Sequence, residues 1–239
     1  MKVPHATLIM DMVLMLRTHL ILIDGIAGTG KTTLSHNLHR IVNTVSGNAI
    51  LSQEFDTPHL IHEWDVDDYP RWKNKTIENW NMLALNLLRT HSIGIVESSL
   101  FQGTVGDLLE RDIDEKTIFE YAFQVPSLLQ ITSPVLIYLV PDDITTHIEH
   151  TYAQRKGGWQ TKIDQFIQQT AYGRARNLSG LEGYIIFLKT LKRLSDQLFQ
   201  TYEMKKLLLN ISQYFWDDYE ALITNFLEIS SQNFLPDPL

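Results

Sequence analysis

The sequence contains no cysteine among its 239 residues. Disulfides, thiolate zinc sites and cysteine nucleophiles are excluded together. Such a chain suits a reducing compartment, and a cytoplasmic location is expected. Positive charge is scarce too: 20 Lys and Arg stand against 28 Asp and Glu, for a formal net charge of −8. Phosphate backbones and anionic lipid surfaces need a basic face, so neither nucleic acid nor membrane is expected as a partner. Long apolar runs are also missing. The stretch "ATLIMDMVLML" (6–16) contains Asp11, is too short to span a bilayer and is followed by no small-residue cleavage site. It reads as a short helix or strand within an N-terminal extension over 1–18, unless the chain starts later, at Met10, Met12 or Met15. No interior stretch is rich in Pro, Gly or Ser, so one domain over 1–239 is expected, ending in a tail at 230–239.

What remains has the balance of a folded domain, 44% hydrophobic and 20% charged. "HLILIDG" (19–25), "NAILSQE" (48–54), "IGIVES" (93–98), "SPVLIYLVP" (133–141) and "MKKLLLNIS" (204–212) read as strands. Helical spacing is found over 31–45, 75–91, 100–110, 115–129, 142–154, 181–202 and 216–229. This alternation predicts an α/β fold, a five-stranded parallel sheet with helices on both faces. The segment 155–177 gathers Arg155, Lys156, Lys162, Arg174 and Arg176 against Asp164. It reads as a mobile phosphate-binding lid or as a solvated helix face.

The glycine turn between the first strand and helix carries the most specific pattern. "GIAGTGKT" (25–32) fits G-x-x-x-x-G-K-[ST] with Gly25, Gly30, Lys31 and Thr32. A turn of this kind points successive N–H groups inward at phosphate oxygens, and the helix that follows adds its positive end. Gly25, Ile26, Ala27, Gly28, Thr29, Gly30, Lys31, Thr32 and Thr33 are therefore expected to hold a nucleoside triphosphate. Lys31 should reach the β- and γ-phosphates and Thr32 should place its hydroxyl on Mg²⁺. Those features predict a P-loop NTPase three-layer sandwich binding ATP and magnesium.

Ligands of open α/β sheets sit beyond the carboxyl ends of the strands. Glu97 and Glu54 end two of them. Metal support falls to Glu97, with Thr32, and the base that deprotonates a hydroxyl acceptor to Glu54, with Asp56 as an alternative. Arg155 and Arg174 are expected to reach the phosphates from the lid.

Together "GIAGTGKTT", "SQEFDTP", "IVESSLFQ" and "LIYLVPDD…YAQRKGG" resemble the deoxynucleoside kinase and thymidylate kinase-like group of P-loop kinases. The resemblance spans roughly 20–229 and implies a lid and a small hydroxylated acceptor. It pairs Glu54 with that group's base and Glu97 and Ser99 with its Glu-x-Ser. Tyr138, Leu139 and Pro141 fall on its fourth strand, and Arg155 on its lid arginine. Ser98 stands where the group has arginine, and the thymidylate kinase Asp-Arg pair is missing. The chain is also similar to small-molecule phosphotransferases that inactivate antibiotics.

The expected function is transfer of the γ-phosphate to a hydroxyl of a nucleoside or nucleoside-like acceptor. The alternatives are a nucleoside monophosphate kinase and a nucleotide-binding module without transfer. A GTPase is disfavoured, because "NKTI" at Asn74 lacks the Asp of a guanine reader. The aromatic and acidic stretch 55–72, with Trp64, Tyr69 and Trp72, reads as acceptor pocket or as surface packing. Trp159 reads as packing, Asn210 and Ser212 as candidates near the adenine, and His59 and His62 as polar loop residues. A homodimer is left open.

Overall fold

Successive strand residues face opposite sides of a sheet, so a run such as "LILI" can be buried throughout only if helices cover both faces. The computed structural model describes residues 18–56, 59–61, 68–155, 157–213 and 215–229. Its elements are β1 (Leu20–Gly25), α1 (Lys31–Ser46), β2 (Ala49–Ser52), α2 (Tyr69–Thr90), β3 (Ile93–Glu97), a π-helical turn (Ser99–Val105), α3 (Gly106–Glu110), α4 (Glu115–Ala122), α5 (Gln124–Leu129), β4 (Val135–Val140), α6 (Ile144–Gln154), α7 (Gly158–Gln169), α8 (Ala171–Arg176), α9 (Gly180–Thr201), β5 (Lys205–Asn210) and α10 (Trp216–Phe226). The strands form one parallel sheet in the order β2–β3–β1–β4–β5. Most of the N-terminal extension and all of the tail lie outside the described residues.

Two apolar layers sandwich the sheet. Leu20, Leu22, Leu136 and Tyr138 face the core shared with α2, α4, α5 and α9. Ile21, Ile23, Ile137 and Leu139 face the thinner layer under α1 and α10. The alternation within β1 and β4 is thus the reason for three layers. With β1, the glycine loop and α1 at the centre of such a sheet, the chain has the P-loop arrangement.

Three expected elements are corrected. The strand expected over 48–54 ends at Ser52, and Glu54 lies in the turn that follows. Asp56 closes that turn by accepting the Gln53 N–H at 2.7 Å. The helix expected over 115–129 breaks at Phe123. Pro126 has no N–H for the Ala122 carbonyl, which instead accepts the Tyr202 hydroxyl at 3.0 Å. The helix expected over 100–110 opens as a π-turn, where the Gly103 N–H reaches the Ser98 carbonyl at 2.7 Å.

That π-turn is set by one buried side chain. The Asp24 carboxylate accepts the N–H groups of Leu100, Phe101 and Gln102, and also that of Gly25, at 2.8–3.0 Å. Burial pushes its pKa above the usual carboxylate range, against those N–H groups and Lys31. The last turn of β1 and the loop after β3 are thereby fixed to each other, and the Gln102 side chain is directed into the cleft.

Candidate active site

The glycine loop requires its glycines. Gly30 has φ 85°, and a Cβ there would lie 2.2 Å from the Trp216 ring. A Cβ on Gly25 would lie 2.5 Å from the Leu139 carbonyl oxygen. Around this loop and the strand ends lies a cavity of about 920 Å³. It runs from Gly28, Lys31 and Thr32 past Glu97, Glu54 and Gln102 to α3, α7 and α9.

Lys31 is 5% exposed. Its ammonium donates to the Ile26 carbonyl at 3.0 Å and to Gln102 Oε1 at 2.7 Å. Burial draws its pKa below the usual lysine range, opposed by Glu54, Asp24 and Glu97. Gln102 Nε2 donates to Glu54 Oε1 at 2.7 Å. One amide therefore joins the Lys31 ammonium to the Glu54 carboxylate. Burial raises the Glu54 pKa, with Lys31 opposing. The Ser98 hydroxyl also favours the charged carboxylate, although it is buried outside good hydrogen-bond geometry. Ser98 adopts φ 57°, a left-handed conformation that non-glycine residues seldom hold without a structural reason.

Thr32 Oγ1 donates to Glu97 Oε1 at 2.6 Å, and Ser35 Oγ donates to Glu97 Oε2 at 2.9 Å. These are hard oxygen ligands of the kind Mg²⁺ takes, and a loop for phosphate lies beside them. No group of three or more His, Asp or Glu is arranged to hold a metal among the described residues. A carboxylate and a hydroxyl beside the glycine loop fit magnesium, which takes most of its shell from water and phosphate.

Of the expected cations, Arg155 lines the cavity and lies over the Trp159 ring at 5.1 Å, and Lys162 lines it beside them. Trp159 is thus a platform for Arg155 at the cavity wall. Arg174 does not reach the cavity. It is exposed on α8, and its Nη1 donates to the Gln169 carbonyl at 2.5 Å. Arg176 likewise pairs with Asp112 at 2.6 Å. The chain turns at Thr170, so the second half of the basic run lies off the cavity. Ser99 is also turned inward, its hydroxyl on the Glu97 carbonyl at 3.0 Å.

Asn210 and Ser212 bind Asp142, linking the loops that follow β4 and β5. His59 is buried and accepts the Ile61 N–H at 2.9 Å. His62 and Trp64 lie outside the described residues. Of the stretch read as an acceptor pocket, Trp72 is in the core, and among described residues only Phe55 reaches the cavity.

The rest of the cavity is lined by residues the sequence left unmarked. Asp107 and Glu110 lie three apart on α3 and so share a face. Phe166, Tyr184 and Phe187 stand across from them with mutually edge-on or stacked rings. Asp107 Oδ1 meets Arg111 Nε at 3.2 Å, while Oδ2 is buried without a hydrogen bond. Burial first, then the nearby charge of Asp107, raises the Glu110 pKa from the ordinary 4.5 to about 8.

A stability prediction follows from that shift. Between pH 4.5 and about 8 the folded chain retains a proton that the unfolded chain has released. Stability from this group is therefore full below pH 4.5 and is lost as pH rises to about 8. Glu110→Gln removes the penalty. At pH 8.5 it should raise stability by about 2 kcal/mol, or Tm by roughly 4–8 °C, after discounting for cavity solvent. At pH 4 it should change Tm little. Equal shifts at both pH values in a thermal melt would refute the account.

No family model and no curated protein matches this sequence. Among solved structures, the YorR protein of Bacillus subtilis, in complex with phosphorylated GDP, is 12% identical. That match covers 88% of this chain and 96% of that one, at a TM-score of 0.49. Thymidylate kinase from Candida albicans is 16% identical over 88% of this chain and 93% of its own, at 0.48. Thymidylate kinase from Ehrlichia chaffeensis is 13% identical over 85% and 97%, at 0.45. No described helix is long and apolar enough to cross a membrane.

Proposed function

We propose that the chain is an ATP- and Mg²⁺-dependent kinase that phosphorylates a hydroxyl of a small molecule of nucleoside or nucleoside-like size, in the cytoplasm. One observation carries this reading. A single cavity joins the glycine loop to an aromatic chamber, with Glu54 between them.

The loop amides and Lys31 would hold the triphosphate. Thr32 and Glu97 would hold Mg²⁺, which when bound offsets charge on the phosphate oxygens. Glu54 would take the proton of the acceptor hydroxyl as its oxygen bonds to the γ-phosphorus. The bond to the β–γ bridging oxygen then breaks and ADP leaves. Arg155 would offset the charge that develops there, and it replaces the cation that Ser98 cannot supply. Gln102 positions both Lys31 and Glu54.

A phosphorylated acceptor would need cations at the acceptor end. The described cations on the cavity are Lys31, Arg155 and Lys162, whereas Asp107 and Glu110 face the aromatic chamber. An acceptor without phosphate is favoured over a nucleoside monophosphate. "NKTI" lies within α2 rather than in a base-reading loop, which disfavours a GTPase.

Isothermal titration in millimolar magnesium tests the reading. ATP should bind with a dissociation constant on the order of 10–100 µM, and a productive acceptor should stimulate ADP release. No uptake of ATP or GTP would overturn the reading. Uptake without transfer to any acceptor would support the non-catalytic alternative.

A further inference from the structure

Proteins hold organic cations by surrounding them with carboxylates and aromatic faces, because ring quadrupoles and carboxylate charge both favour positive charge where water is excluded. The far end of the cavity has both. Asp107 and Glu110 project from one face of α3, with Phe166, Tyr184 and Phe187 opposite. Gly106 lies on the same wall, and a Cβ there would meet Leu191 only at an ordinary 3.7 Å, so the backbone leaves room. Arg111 is tied to Asp107, and no described side chain hydrogen-bonds or ion-pairs with Glu110.

A second observation is independent of the acids. Tyr184 is only 7% exposed, lines the cavity, and makes ring contacts to Phe166 and Phe187. Its hydroxyl has no hydrogen-bond partner among the described residues. It lies within the electrostatic reach of Glu54, Glu110 and Arg155. A buried hydroxyl open to a cavity and lacking a partner is placed for a ligand. Glu110 has Arg111 as its nearest opposing charge, and that guanidinium is bonded to Asp107, so a cationic ligand would favour the ionised carboxylate.

We propose that this chamber is a cation subsite, so that the acceptor carries an ammonium, amidinium or guanidinium group on an aromatic or alicyclic frame, seated between Asp107, Glu110 and the rings of Phe166 and Phe187. The reacting hydroxyl lies toward Glu54, within reach of Tyr184. The placement of that hydroxyl rests on the kinase reading, but the cation subsite does not. Amino alcohols, amino sugars and amino-substituted nucleosides have this chemistry.

The test uses benzamidine, a flat aromatic cation, and benzamide, its neutral isostere, titrated by NMR at pH 8.5, where Glu110 is ionised, into the full chain without nucleotide. Benzamidine should bind at least about tenfold more tightly than benzamide. Glu110→Gln should shrink that preference to less than about twofold. A melting curve of Glu110→Gln at pH 8.5, expected to show a raised Tm, separates this loss from unfolding. Asp107→Asn should reduce the preference in the same direction. Three results would overturn the proposal: equal binding of the two probes, an undiminished preference in Glu110→Gln, or no benzamidine binding at about 20 mM, which is weaker than any useful subsite. A preference in a chain that binds no ATP would sink the kinase reading and leave the subsite standing. ATP binding without a preference would do the reverse.

Discussion

Lys31→Ala is expected to lower turnover by about 10³-fold, the loss seen when a positioned donor to developing charge is removed. The ammonium is nearly inaccessible and held by the Ile26 carbonyl and Gln102, so it is preorganised before any ligand arrives. In the proposed reaction its contact with the transferring phosphate would strengthen as charge develops there. kcat should therefore fall much further than KM for ATP rises. The substitution also leaves Glu54, Glu97 and Asp24 without the cation they share, so a melting curve must accompany the assay. A folded Lys31→Ala protein with undiminished ADP production would contradict the assignment.

Glu54→Gln should have the second largest effect, about 10²–10⁴-fold on kcat. The isosteric amide keeps the packing but cannot accept the acceptor's proton. The wild-type rate should rise with pH as Glu54 ionises. Burial displaces that rise above the usual carboxylate range, with Lys31 limiting the displacement. In Glu54→Gln this limb should vanish. A variant that keeps the limb assigns it to another group. If Asp56→Asn proves the more damaging substitution, the base has been misplaced, since Asp56 is bonded to the Gln53 N–H.

The parts legible in the sequence are those whose chemistry is local. The apolar alternation of β1 and β4 demanded cover on both faces, and the structure has it. Glu97 ended an unmistakable strand beside the glycine loop, and the hydroxyls of Thr32 and Ser35 meet its carboxylate. Gln102 was not legible. Its direction depends on a π-turn that Asp24 imposes from a different strand, 78 positions earlier. Asp107, Glu110 and Tyr184 converge only when α3 and α9 are placed together around the cavity. Arg174 lies off the cavity; a run of charge records how many cations there are, not where the helix carrying them turns. The break at Phe123 was within reach, since Pro126 stands four residues beyond the Ala122 carbonyl it cannot serve.

The bridging amide also limits what evolution or an engineer can change. At position 102 an uncharged side chain must offer a lone pair to a cation at one end and a hydrogen to an anion at the other. Glutamate would satisfy the lysine and repel its acidic neighbour, and lysine would do the opposite, while asparagine is one methylene shorter. The apolar walls of the cavity tolerate wider change, but the link between Lys31 and Glu54 is written in a single letter.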